Sequence, residues 1–146
     1  MADESTQSIV VEADPDTIMS VIADFPAYPE WTGAVKEVEV VSEDDDGQAK
    51  QVAFTVEAVM FKDSYTLEYT WATDGLSVDW TLVKGQMQKA QKGRYLLEPQ
   101  DDGATKVTYT LSVTLAVPMI GLFRRKAEKT IMDIALKDLK RRAEGL

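Results

Sequence analysis

Apolar and polar residues alternate with a period of two along most of the chain between Val35 and Val117. Successive side chains of a strand point to opposite faces, so this alternation predicts strands with one apolar and one polar face. Together with a β-branched run from Ser8 to Ala13, the pattern gives about seven strands. The runs are separated by short turn signals at Asp46-Gly47, Lys62-Asp63, Asp74-Gly75, Gly85 and Asp102-Gly103. These connections leave no room for crossover helices, so we expect an antiparallel meander.

Helical spacing replaces the alternation near the start of the chain. Asp14 suits an N-cap and Pro15 suits the first helical position, and Ile18, Val21 and Ile22 then recur on one face. The helix is expected to stop before Pro26, because the residue preceding a proline is pushed out of the α region. A second short helical turn or loop follows at Tyr28 to Trp31.

A long terminal helix is predicted from Met119 to Leu146, after Pro118 has ended the last strand. Its buried stripe is expected to consist of Ile120, Phe123, Ala127, Ile131, Ile134, Ala135 and Leu139. Basic residues cover much of the remaining surface, at Arg124, Arg125, Lys126, Lys129, Lys137, Lys140, Arg141 and Arg142.

The apolar face of the sheet and the apolar stripe of the helix must cover each other. A sheet this wide twists and curls, so one helix cannot fill its whole concave side. The inward positions are rich in Tyr and Trp, which supply apolar walls and a few directed hydrogen bonds, as small-molecule sites do. The alternative is that these aromatic residues fill a dry core. We expect a cavity lined by Trp31, Tyr65, Tyr69, Trp71, Trp80, Tyr95, Tyr109, Phe123, Ala127 and Ile131.

Two residues have special places in this prediction. Trp31 is the candidate for a lid over the cavity, since prolines and short connections limit helix formation around it. Arg94 is the candidate for a polar group inside the cavity, because a one-residue bulge in its irregular strand would turn it inward. Without that bulge Arg94 faces water. The other inward positions offer no ionisable pair.

Composition removes several kinds of chemistry. The 146 residues suit a single domain spanning 1–146, and they include no Cys and no His. Disulfides, thiolate nucleophiles and the commonest general base and metal ligand are therefore excluded, and we expect no metal, no cofactor and no catalytic residue. A net charge of −9 argues against a nucleic-acid partner. No signal peptide or membrane span is evident, so we expect a cytoplasmic protein.

The order of strand, two short helices, meander and long terminal helix resembles the helix-grip fold of the START-like superfamily. Ala13-Asp14-Pro15 and the stretch from Ala23 to Trp31 are similar to the opening of the polyketide cyclase/dehydrase and lipid-transport family. The segments from Gly93 to Pro99 and from Gly103 to Tyr109 resemble that family's last two strands. The resemblance implies an α+β helix-grip fold, a seven-stranded antiparallel sheet wrapped around the terminal helix.

Three functions remain open at this point. The leading hypothesis is binding, and possible transport, of a hydrophobic small molecule such as a lipid, an isoprenoid or a polyketide. The second is a polyketide cyclase or dehydratase, which would need an acid or base from Tyr69, Tyr109 or Arg94. The third is a partner-binding module. The basic helix predicts at most weak contact with an anionic membrane, because the acidic remainder of the chain opposes it. The oligomeric state is left open.

Overall fold

The structure, a computed structural model, describes residues 4–58, 61–115 and 121–146, without the side chains of Ala58, Phe61, residues 121–125 and Ala127. Seven strands form one antiparallel sheet in the order β1-β7-β6-β5-β4-β3-β2. The strands are β1 (Ser5–Val11), β2 (Val35–Glu43), β3 (Ala49–Ala58), β4 (Phe61–Trp71), β5 (Ser77–Gly85), β6 (Gln88–Pro99) and β7 (Thr105–Leu115). The helices are α1 (Pro15–Ala23), α2 (Tyr28–Trp31) and α3 (Gly121–Glu144), with a short 3₁₀ turn at Phe25–Ala27.

This architecture confirms the predicted α+β helix-grip fold. β2 to β7 form the expected meander, and β1 pairs with β7 at the other edge. The start of α1 is also as expected. The Thr17 backbone N–H donates to Asp14 Oδ1 at 2.8 Å, and Pro15 occupies the first turn, where its missing N–H costs nothing.

The core at one end of the molecule is made of closely packed apolar side chains from β1, α1, the 3₁₀ turn and α3. We call the residues Val11, Ile18, Ile22, Phe25 and Leu139 the packed end; each is at most 1% exposed. Complete burial of aliphatic side chains is the main stabilising contribution in a domain of this size.

The buried face of α3 differs from the prediction. Among the side chains described, it is formed by Glu128, Met132, Leu136, Leu139 and Ala143. Ile131 and Ile134, expected in the stripe, are 36% and 41% exposed. Only Leu139 and the partly buried Ala135 of the predicted stripe face the core, whereas Ile120 and the side chains of Phe123 and Ala127 lie outside the described part. The helix has apolar residues on more than one face, and docking against β1, β7 and α1 selects the face through Met132.

α3 also protects the exposed edge of the sheet. Lys140 Nζ donates to the Val10 carbonyl at 2.7 Å, and the Glu12 backbone N–H donates to Glu144 Oε2 at 2.8 Å. Lys140 and Glu144 are themselves an ion pair at 2.7 Å. An unpaired strand edge is a template for aggregation. These contacts cover the polar backbone groups at the end of β1.

Candidate functional site

The concave face of the sheet carries a continuous network of aromatic rings. It crosses β3 to β7, where Phe54 is opposite Tyr65, Tyr69 is opposite Trp80 and Tyr95 is opposite Tyr109. Neighbouring centroids are close, at 5.8 Å for Tyr69–Trp80 and 4.7 Å for Tyr95–Tyr109. The ring contacts join all the aromatic side chains that the structure describes: Phe25, Tyr28, Trp31, Phe54, Tyr65, Tyr69, Trp71, Trp80, Tyr95 and Tyr109.

The aromatic network is not uniformly buried. Tyr65, Tyr69, Trp71 and Tyr95 pack against buried residues yet keep part of their surface accessible. α3 contacts β1 and β7, the edge of the sheet farthest from β3 and β4. The inward face of the middle strands is therefore covered by its own aromatic side chains more than by the described part of the helix.

We call four tyrosines of this face, Tyr65, Tyr69, Tyr95 and Tyr109, the tyrosine cluster. Their hydroxyls make no hydrogen bond to any residue within the described part of the chain. Tyr109 is only 7% exposed. By contrast, the hydroxyl of Tyr28 donates to the Ile22 carbonyl at 2.6 Å. Buried tyrosines usually find such a partner, so four clustered hydroxyls without one indicate a place where another molecule, water or ligand, supplies it.

Burial raises the pKa of every member of the tyrosine cluster well above the ordinary value of 10. For Tyr65, Tyr69 and Tyr95 the nearby tyrosines raise the pKa further, because two phenolates at close range would repel each other. The hydroxyls are therefore neutral at physiological pH. Each of them is able both to donate and to accept a hydrogen bond.

A buried carboxylate lies on the same face, and the sequence pattern was interpreted at this position as a turn. Asp63, 2% exposed, is within β4, and it faces inward with Tyr65 two residues later. Its carboxylate accepts from the backbone N–H groups of Gln86 and Met87 at 3.3 and 3.0 Å and from Gln88 Nε2 at 3.0 Å. Extending the period-two alternation of β4 back by one step from Tyr65 would have placed Asp63 inward.

The hydrogen bonds continue from Asp63 to the aromatic network. Gln91 Nε2 donates to Gln88 Oε1 at 2.6 Å, and the indole N–H of Trp80 donates to Gln91 Oε1 at 2.9 Å. Gly93, opposite Trp80, makes this position of the indole possible, because a Cβ at residue 93 would overlap the ring. The hydrogen bond to Gln91 therefore holds the Trp80 indole against β6, and the missing side chain at Gly93 leaves room for the ring.

Arg94 does not face the interior, contrary to the bulge hypothesis. The pairing of β6 with β7 is regular from Ala90 to Pro99, and its only shift lies between Gln88 and Ala90. Arg94 is therefore on the outer face, where its Nε and Nη2 donate to Asp79 at 2.7 and 3.3 Å. The second inward ionisable group found by the structure is instead Glu128 of α3, which is 3% exposed.

Trp31 lies where α1, α2 and the end of α3 meet. Its ring contacts Tyr28 at 4.9 Å, and it borders a cleft of about 90 Å³ together with Ser20, Asp24 and Arg142. Water occupies about 30 Å³ per molecule, so this cleft holds a few waters and not a lipid. The Trp31 indole N–H is buried without a hydrogen-bond partner among the described residues.

The basic face of α3 is partly neutralised by ion pairs. Lys140 pairs with Glu144, Arg141 with Asp138 and Arg142 with Glu30. Lys126, Lys129 and Lys137 are exposed, while the side chains of Arg124 and Arg125 are outside the described part. In the described ranges no helix combines the length and apolar character needed to cross a membrane. The same ranges contain no group of three or more acidic side chains placed close enough together to bind a metal ion.

A protein-family model matches most of the chain. The family model described as "Polyketide cyclase / dehydrase and lipid transport" matches residues 3–144. A search of curated proteins gave no match. Among solved structures, a START superfamily protein from Mycobacterium smegmatis superposes with a TM-score of 0.91 at 22% identity, over 97% of both chains. A protein from Thermus thermophilus gives 0.80 at 21% identity, also over 97% of both chains.

An enzyme is among the similar structures. The Zhui aromatase/cyclase from Streptomyces sp. R1128 superposes with a TM-score of 0.82 at 14% identity, over 99% of this chain and 94% of the enzyme. Identities this low show a shared fold alone, because one fold hosts many different chemistries.

Proposed function

Because the chain belongs to the polyketide cyclase/dehydrase and lipid-transport family, we propose that it binds a hydrophobic small molecule in a cavity between the concave face of the sheet and α3. The observation that carries the proposal is the tyrosine cluster, whose hydroxyls have no partner within the described residues. Its rings supply apolar surface, and its hydroxyls supply the few directed polar groups typical of a ligand site.

The alternative of a filled, dry core leaves those hydroxyls unexplained. None of these hydroxyls is among the fully buried polar atoms without a partner in the described residues, so each still reaches accessible space. Filling that space with apolar side chains would bury the hydroxyls unpaired, at a cost on the order of 1–3 kcal/mol each. A ligand or water that bonds the hydroxyls removes this cost. Burying apolar ligand surface then contributes about 25 cal/mol per Å², which is enough for useful affinity without a charged contact.

The proposed binding residues on the sheet are Tyr65, Tyr69, Trp71, Trp80, Tyr95 and Tyr109. Phe123 and Ala127 remain proposed from the sequence, since their side chains lie outside the described part. Ile131 is left out because it is 36% exposed and lies beside the buried stripe of α3. Trp31 remains a candidate for the lid, at the border between α2 and α3.

Native mass spectrometry of the protein purified from its own host tests the proposal. We expect a mass adduct that organic extraction removes, and an extracted compound that rebinds. Two single-tryptophan variants locate the site: one keeps Trp80 (Trp31→Phe, Trp71→Phe) and one keeps Trp31 (Trp71→Phe, Trp80→Phe). Rebinding should shift the fluorescence of the first. A shift in the second would support the lid, whereas no adduct and no shift in either variant would contradict the proposal.

A cyclase or dehydratase activity is the second candidate, and the neutral hydroxyls of Tyr69 and Tyr109 together with the inward Asp63 favour it. Arg94 no longer contributes, because it is paired with Asp79 on the outer face. Conversion of a polyketide substrate that Tyr69→Phe and Tyr109→Phe abolish would establish the enzyme. Recovery of an unmodified ligand, with no conversion, favours the binding protein. A stable protein complex from cell extract would instead favour a partner-binding module.

A further inference from the structure

The charges that the structure describes on buried side chains are of one sign. Among the described side chains, the buried ionisable groups that can carry charge at neutral pH are Asp63 and Glu128, which are 2% and 3% exposed. None of the described Lys and Arg side chains is buried. Glu128 has contacts of its own, so the inference rests on Asp63, whose partners are known.

The hydrogen bonds to Asp63 stabilise its charge without cancelling it. Its three donors are two backbone N–H groups and the amide of Gln88, and none of them is a cation. The negative charge is therefore held in place two residues from Tyr65, on the face that carries the aromatic network. Inside a protein such a charge is poorly screened and acts on whatever occupies the neighbouring space.

The aromatic rings add to the same preference. The faces of Trp80, Tyr69, Tyr95 and Tyr109 are electron-rich and attract cations. The unpartnered hydroxyl oxygens of the tyrosine cluster accept hydrogen bonds from an N–H donor. Tyr109, 7% exposed, provides one such hydroxyl in the most buried part of the cluster. A ligand carboxylate in this space would meet the carboxylate of Asp63 and no basic side chain that the structure describes.

We propose that the cavity selects ligands with an apolar body and an organic cation, a protonated amine or a quaternary ammonium, at the polar end. It rejects ligands of the same shape that end in a carboxylate, such as free fatty acids. This selectivity rests on the proposed binding function and names the ligand class for the same site.

Three probes with the same hydrocarbon chain test the selectivity: dodecyltrimethylammonium, dodecanol and dodecanoate. The two ionic probes are kept below their micelle concentrations and dodecanol below its solubility limit, and binding is measured by competition with a neutral fluorescent probe. The ammonium is expected to bind about tenfold tighter than the alcohol, and the carboxylate weakest. Dodecanol or dodecanoate binding as tightly as the ammonium overturns the selectivity but leaves the binding function standing. Binding of none of the three, nor of the neutral probe, overturns both.

The net charge of −9 attracts cations to any part of the surface, so the variants must separate local from distant charge. Asp63→Asn removes the interior carboxylate, and Asp45→Asn makes the same change of net charge at the exposed β2–β3 hairpin. Asp63→Asn should lose the preference for ammonium over alcohol, and Asp45→Asn should keep it. Equal loss in both variants overturns the proposal. Should Asp63→Asn not fold, Tyr109→Phe replaces it, with protonated dodecylamine as the probe because its N–H groups can donate to the Tyr109 oxygen. Several-fold weaker binding of this amine is expected, and unchanged binding overturns the proposal.

Discussion

The packed end and the tyrosine cluster face the same interior, but they differ in whether their inward hydroxyls have hydrogen-bond partners. At the packed end the hydroxyl of Tyr28 is bonded to the Ile22 carbonyl and the buried hydroxyl of Thr105, opposite Val11, to the Ala13 carbonyl. The five residues of the packed end are at most 1% exposed. In the tyrosine cluster four hydroxyls have no partner among the described residues, and three of the four rings keep accessible surface. The same interior therefore has a part that stabilises the fold and a part that we propose to bind another molecule.

Alkaline pH should produce the largest effect that separates these two regions. The pKa of all five tyrosines is raised in the folded chain by burial, from an ordinary value of 10. Above pH 10 the unfolded chain loses these protons and the folded chain keeps them, so stability falls by about 1.4 kcal/mol per pH unit for each tyrosine. We expect tyrosinate absorbance and loss of circular dichroism to appear together.

The outcome that breaks this prediction is informative about the cluster. If four tyrosines titrate near their ordinary pKa while the circular dichroism is unchanged, water fills the space next to them. Tyr28, hydrogen-bonded and remote from that water, would then titrate last.

Leu139→Ala should be the most damaging of the single substitutions. Leu139 is fully buried at the packed end, so its truncation leaves a cavity that costs about 2–5 kcal/mol. Chemical denaturation measures the loss, and the affinity for a neutral apolar probe should be unchanged. Ile134→Ala, on the exposed side of the same helix, is the matched control and should change stability by less than about 0.5 kcal/mol. Similar losses in both variants would mean that the buried face of α3 is assigned incorrectly.

Gly93→Ala should have an intermediate effect. The new methyl group would overlap the Trp80 indole, so the ring must move away from β6 and lose its bond to Gln91. Overpacking of this kind costs about 1–3 kcal/mol. We expect a shifted Trp80 fluorescence maximum in the variant that keeps only this tryptophan, together with weaker probe binding. Gly33→Ala, where a Cβ meets nothing within 4 Å, is the control. An unshifted spectrum in Gly93→Ala would contradict the contact.

Removing single tyrosine hydroxyls compares the two regions directly. Tyr28→Phe leaves the Ile22 carbonyl without its donor and should cost about 1–2 kcal/mol, with ligand binding unchanged. Tyr69→Phe removes a hydroxyl that has no partner in the described structure, so it should cost less than about 0.5 kcal/mol, or even stabilise the protein, while ligand affinity falls. Denaturation and ligand titration of both variants check the pair. The reverse ranking of stabilities would remove the distinction between the two regions.

The smallest effect is expected at the contact between α3 and β1. The hydrogen bond from Lys140 and that from the Glu12 N–H lower the pKa of Glu144 below its ordinary value of 4.5. A lowered folded-state pKa stabilises the fold above pH 4.5, and this stabilisation is lost as the pH falls through the folded pKa. Glu144→Gln should therefore be slightly less stable than the parent at neutral pH, with the difference vanishing in acid. A difference that grows in acid would show that Glu144 acts through another contact.

The sequence by itself determined the sheet and the start of α1. Alternation has a period of two, so a correctly paired register assigns each side chain to one of only two faces. The predicted inward face was correct for Tyr65, Tyr69, Trp80, Tyr95 and Tyr109. The same rule placed Arg94 outward before a bulge was invoked. It would also have placed Asp63 inward, had Lys62-Asp63 not been interpreted as a turn.

Tertiary structure alone decided the buried face of α3 and the partners of the interior polar groups. Apolar residues recur on more than one side of this helix, and with 3.6 residues per turn a rotation of about 100° exchanges Ile131 for Met132 at the interface. Hydrogen bonds such as those from Gln88 to Asp63 and from Trp80 to Gln91 join residues 25 and 11 positions apart. Whether a tyrosine hydroxyl finds a partner depends on such distant neighbours, which no local pattern along the chain specifies.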